Sequence, residues 1–210
     1  MIKNLPSTPD AILAMEWKDY ETHFKVLQST ELTAENVNDW LLGWSDLADR
    51  LDEQYTRLFV ATTQFTEDNE IEKRFNHFVE AIQPQARTEE QKLKEKILAS
   101  GLQPANFKMG LKKMRAEADI FREENLELLV DEQKLNAEYN KIIGSQTMLW
   151  NGEERTASQM YPLLQEQDRA VREKAWQIMT EARLKNRAAI NDLWKKFMAV
   201  RLKIAANTDM

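Results

Sequence analysis

The sequence has no cysteine, and its only histidines are His23 and His77. Without cysteine there is no disulfide, no thiol nucleophile and no thiolate-held zinc, and the cytoplasm is the compartment this composition fits best. Neither histidine is followed by Glu, so the His-Glu-x-x-His zinc motif does not occur. His23 has no second ligand at helical spacing. His77 has Glu80 three residues on, but a metal site there needs further donors from elsewhere. Both histidines read as half-buried or surface side chains. We expect no catalytic, cofactor-binding or metal-ligating residue in this chain. Glycine and proline are scarce, at five each in 210 residues. That scarcity disfavours turn-rich sheet architecture and leaves no glycine-rich phosphate loop. No apolar run approaches the roughly 20 residues a membrane span needs. Positive charge is also short: the formal net charge is −6, so a nucleic-acid partner is not expected.

What is present is a soluble globular composition, with 42% hydrophobic and 30% charged residues. Six tryptophans and eight phenylalanines supply bulk for a core. The periodicity predicts a mainly α fold: an antiparallel array of helices, one β-hairpin near 146–157 and a long C-terminal helix. Residues 1–210 read as one helical region, with an array over 1–144, the hairpin at 145–157 and further helices at 158–210.

Residues 1–10, with Pro6 and Pro9, read as an extended lead-in. A helix begins near Trp17 and aligns Tyr20, Phe24 and Leu27. Thr30 or Thr33 is placed to cap the next one, over 34–63, whose stripe runs from Val37 and Trp40 to Leu58 and Phe59. Trp40 and Trp44 share a face and suit core packing better than a peptide groove. Gly43, between them, suits close approach of another helix. A third helix through Ile71, Phe75 and Phe78 is expected to end before Pro84. Thr88 with Gln91 reads as a capping box for a fourth, which stops at Gly101.

The stretch from Met114 to Gly144 holds two helices that meet near Glu124 and Asn125. In the second, Leu128, Leu135, Tyr139 and Ile142 share a face, and Gly144 reads as a left-handed stop. Beyond it, Asn151-Gly152 is a strong hairpin signal, because both residues tolerate the positive φ of a type I′ turn. This places Met148 and Trp150 on one side and Thr147 and Leu149 on the other. Thr156 with Gln159 makes a second capping box, and Pro162 demands a kink or a fresh start. Asp168 then caps a helix from Arg169 to about Ala206. Unbroken, it spans roughly 55–60 Å at ~1.5 Å per residue, against ~45 Å for a compact chain of this size. Either it breaks near Lys185–Arg187 or it projects towards further mass.

Several strings resemble one family. They are Met-Arg-Ala-Glu-Ala-Asp-Ile-Phe-Arg-Glu-Glu-Asn-Leu at 114–126, Glu-Tyr-Asn-Lys-Ile-Ile-Gly at 138–144 and Trp-Asn-Gly-Glu-Glu at 150–154. Glu-Leu-Thr-Ala-Glu-Asn-Val at 31–37, Gln-Lys-Leu-Lys-Glu-Lys-Ile-Leu-Ala-Ser-Gly at 91–101 and Asp-Arg-Ala-Val-Arg-Glu-Lys-Ala-Trp at 168–176 extend the likeness almost end to end. The chain is similar to the amino-terminal helical region of oligoendopeptidase F, in the thimet-oligopeptidase family of zinc metallopeptidases. The resemblance implies helical walls around a channel that admits short peptides. Zinc, its ligands and the catalytic Glu would come from a C-terminal catalytic region of the same protein, beyond Met210. The 210-residue chain alone would then be inactive. The alternative is a stand-alone helical interaction module without catalysis, with the stripe of the last helix as its partner surface.

Overall fold

The computed structural model describes residues 5–208. The chain runs α1 (Pro9–Leu13), α2 (Trp17–Ser29), α3 (Val37–Gln64), α4 (Asn69–His77), a π-helical turn (Phe78–Ile82), α5 (Gln83–Ala99), α6 (Lys108–Ile120) and α7 (Asn125–Gly144). The hairpin β1 (Thr147–Trp150) and β2 (Glu153–Thr156) follows. Then come α8 (Ala157–Met160), a 3₁₀ turn (Tyr161–Gln165), α9 (Arg169–Lys185) and α10 (Arg187–Asn207). No described helix is long and apolar enough to cross a membrane.

The larger core lies among α2, α3, the π turn and α5. Tyr20, Phe24, Trp40, Leu47, Phe75, Phe78, Leu93 and Ile97 are almost fully buried there. Each such side chain stabilises the fold by about 1.5–3 kcal/mol relative to exposure. Trp40, Tyr20 and Gln54 pair their polar groups inside. Trp40 Nε1 donates to the Leu27 carbonyl at 2.9 Å, tying α3 to the end of α2. Tyr20 donates its hydroxyl to Gln54 Oε1 at 2.8 Å, and Gln54 Nε2 donates to the Met15 carbonyl at 2.9 Å. Trp40 and Trp44 therefore belong to the core, edge to face with ring centres 5.5 Å apart.

A second, smaller core holds Met148, Trp150, Met160 and Ala175, where β1, α8 and α9 meet. Helix α7 links the two halves, since it packs on α3 and α5 and carries α10 along its length. The hairpin has the predicted turn. Asn151 has φ 51° and Gly152 φ 89°, and Thr147 pairs with Thr156 in antiparallel register. Met148 and Trp150 face the core while Thr147 and Leu149 face out.

Several local readings are corrected by tertiary contacts. The expected lead-in contains α1, which begins at Pro9, where proline's missing N–H needs no partner; residues 1–4 lie outside the described residues. Neither Thr30 nor Thr33 caps α3. Thr30 donates its hydroxyl back to the Val26 carbonyl, and Asn36 accepts from the Thr33 N–H at 2.9 Å to shape the entry turn. Pro84 does not end the helical path. The preceding π turn, in which Gln83 N–H bonds to the Phe78 carbonyl, widens the backbone and lets α5 begin with Pro84 in its first turn. Thr88 consequently lies inside α5 and donates to the Pro84 carbonyl at 3.1 Å instead of capping. Gly144 is the last helical residue of α7, not a left-handed stop. A Cβ there would sit 3.0 Å from the Thr63 carbonyl oxygen, so the glycine permits close contact with the end of α3.

Other terminal signals act as the sequence suggests. Thr156 and Gln159 form their capping box, the chain restarts as a 3₁₀ turn at Pro162, and Asp168 accepts from the Ala170 N–H at 2.8 Å. The last helical stretch takes the first of its two alternatives and breaks at Asn186, leaving α10 as the long C-terminal helix.

Candidate functional site

The two histidines do not assemble a metal centre. His77 Nε2 lies 2.8 Å from Glu16 Oε2, while Glu80 pairs with Lys134 across the helix interface. His23 is half-buried near Asp19, and burial holds its imidazole below the usual histidine range. Among the described residues no group of three or more His, Asp or Glu is placed to hold a metal ion. The described donors therefore do not fit a zinc site.

A cavity of about 670 Å³ lies between α3, α5, α6 and α7. Its floor is aromatic and apolar, with Leu51, Tyr55, Phe78 and Phe121. One polar stripe of α5 dominates the wall. Arg87, Glu90, Gln91 and Lys94 recur at spacings of three and four, so they share a helix face. Opposite them stand Asp49 and Asp52 of α3 and Glu117 of α6.

Burial sets the electrostatics of this wall. It pulls the Arg87 guanidinium down, although arginine remains charged, and neighbouring Glu90 and Glu132 oppose that shift. Burial also pushes the Glu90 carboxyl above the usual range, against the influence of Lys94 and Arg87. Lys94 donates to Glu117 at 2.8 Å and holds that carboxyl low. Tyr55 donates its hydroxyl to Gln133 Oε1 at 2.6 Å across the cavity. Sequence reasoning missed this wall, because it assigned Gln91 to a cap. The available signal was the charged stripe at helical spacing in a segment that also carries core residues.

The second surface of note is the outer side of α9 and α10. Trp176 and Trp194 are each 60% exposed, and Leu184, Met198 and Leu202 are exposed as well. The opposite side of α9 is engaged by the hairpin core through Val171, Ile178 and Ala182. A groove of about 390 Å³ between α7 and α10, lined by Tyr139, Ile190, Trp194 and Phe197, continues the apolar surface.

This succession of helices, hairpin and helices also occurs in solved structures. One described as an oligoendopeptidase F aligns with 93% of the chain at a TM-score of 0.76 and 19% identity. The chain has the fold of part of oligoendopeptidase F. A second oligoendopeptidase F structure, from Bacillus anthracis, aligns with 93% of the chain at 0.74 and 18% identity. A complex of PZ peptidase A with an inhibitor aligns with 99% at 0.75 and 19% identity. The chain spans little more than a third of each, 36%, 37% and 36% of their lengths. No protein-family model matches the sequence, and no curated protein matches it. The likeness to oligoendopeptidase F therefore lies in the fold.

Proposed function

We propose that this chain is the amino-terminal, substrate-admitting lobe of a zinc-dependent oligoendopeptidase that hydrolyses short peptides in the cytoplasm. The observation that carries this reading is the fold likeness, which takes in 93–99% of the chain but only 36–37% of each oligopeptidase structure. The lobe contributes shape: long helices set the width of an opening that extended peptides pass and folded proteins do not. Zinc, its ligands and the general base belong to a catalytic region in a longer polypeptide.

The apolar outer side of α9 and α10 is the surface on which the catalytic region packs. Exposed patches of this kind mark interaction sites, and two tryptophans at 60% exposure suit the centre of an interface. Oxidative labelling read by mass spectrometry tests the arrangement. Trp176 and Trp194 label readily in the 210-residue chain and become protected in the longer polypeptide. Equal labelling of both in the two proteins overturns the packing, and a reading frame that closes at residue 210 overturns the proposal.

A further inference from the structure

Helices α9 and α10 carry the same pattern of residues. Arg169, Trp176 and Arg183 recur at sevens on α9, and Arg187, Trp194 and Arg201 recur at sevens on α10. Residues seven apart share a helix face, turned by only ~20° per step. The step from Arg183 to Arg187 is one helical turn, and Asn186 alone, at φ −95° and ψ 5°, separates the two helices. The six side chains form two matching rows, end to end, with an arginine roughly 10 Å to either side of each tryptophan. All six are exposed.

No contact among the described residues accounts for these rows. The side chains of Arg169, Arg183 and Arg187 make no ion pair and no hydrogen bond there. Arg201 alone is engaged, 2.6 Å from Glu132 and over the Phe197 ring. Charge is also unevenly placed along the chain. Together α9 and α10 hold ten Lys and Arg against three Asp and Glu, a net +7, which leaves −13 for the rest of a chain whose total is −6. The matching partner is apolar where it meets the tryptophans and negative where it meets the arginines. Tryptophan and arginine are the side chains that most often dominate an interface. Exposed Leu184, Met198 and Leu202 beside them favour an aliphatic stripe over stacked bases.

We propose that the two rows dock an acidic amphipathic helix of the catalytic region, with its apolar stripe on Trp176 and Trp194 and its Asp or Glu side chains on the arginines. The inference rests on the proposed function and adds the chemistry of the partner. Nearly two-thirds of each solved relative lies outside the part this chain matches, which is ample chain to supply such a helix. A helix suits the rows because its own seven-residue repeat reproduces their spacing. The ion pairs then set its register and direction, while the tryptophans supply the buried apolar area.

The test is oxidative labelling of Trp176 and Trp194 in the longer polypeptide, with Arg169, Arg183 and Arg187 replaced together by Gln and, in a second variant, by Lys. The Gln variant labels at least about threefold faster than the parent, and added salt speeds labelling of the parent. The Lys variant, which keeps the charge, labels nearer the parent rate. In the 210-residue chain neither variant changes the rate, because these side chains are exposed and unengaged. Protection indifferent to both the Gln variant and salt overturns the acidic helix and leaves the packing of the catalytic region standing. Equal labelling of the parent tryptophans in the two proteins overturns both. Protection of the 210-residue chain that grows with its own concentration assigns the rows to a second copy. Protection of that chain by polyuridylate assigns them to nucleic acid, and either result overturns the inference.

Discussion

Asn207 donates from Nδ2 to Asn125 Oδ1 at 2.7 Å, across 82 positions of the chain. Asn125 is 4% exposed at the first turn of α7, and its own Nδ2 donates to the Ile204 carbonyl at 3.2 Å. One buried amide thus uses both ends to clamp the last turn of α10 onto the start of α7. Asn125→Ala leaves the Asn207 amide without this acceptor and removes a donor from a helix-terminal carbonyl. The expected cost is about 1–3 kcal/mol in urea denaturation. Hydrogen exchange should quicken at the end of α10 before it quickens in α2 or α5.

The hairpin turn offers a backbone test without a packing change. Gly152 has φ 89° and open space where a Cβ would stand. Gly152→Ala therefore costs conformational energy alone, about 1–2 kcal/mol. The loss should appear first in the small core around Met148, Trp150 and Met160, read as faster exchange of β1 and β2 amides. The larger core should be unaffected.

Glu90 gives a pH dependence whose sign follows from burial. Its carboxyl titrates above the ordinary value of 4.5 in the folded chain. Below that ordinary value the group is protonated in both folded and unfolded states and carries no ionisation penalty. As pH rises through the ordinary value towards the raised one, the unfolded state ionises first and stability falls. Glu90→Gln removes this loss. The variant should melt higher than the parent at pH 7, and the gap should narrow as pH is lowered through 4.5.

Features fixed by local chemistry were legible in the sequence, and those fixed by neighbours were not. Asn151-Gly152 demands positive φ whatever surrounds it, so the hairpin could be placed. The boundary near Asn125 and the caps at Thr156 and Asp168 rest on contacts within a few residues. Pro84 misled because the π turn that accommodates it is held by burial of Phe78, Val79 and Ile82 in a distant core. Gly144 misled because its role is the approach of Thr63, 81 positions away, to 3.0 Å. The cavity wall escaped for the same reason. Arg87, Glu90 and Gln91 look like an ordinary solvated helix face until α3, α6 and α7 close around them.

In the proposed function this chain supplies walls to a peptidase, and the chemistry lies in another region. The direct measurement is the rate at which a short quenched-fluorescent peptide is cleaved, with zinc added, by the purified 210-residue chain and by the longer polypeptide that contains it. The expected result is cleavage by the longer polypeptide alone, abolished by a zinc chelator. Zinc-dependent cleavage by the 210-residue chain, or none by the longer polypeptide, contradicts the account.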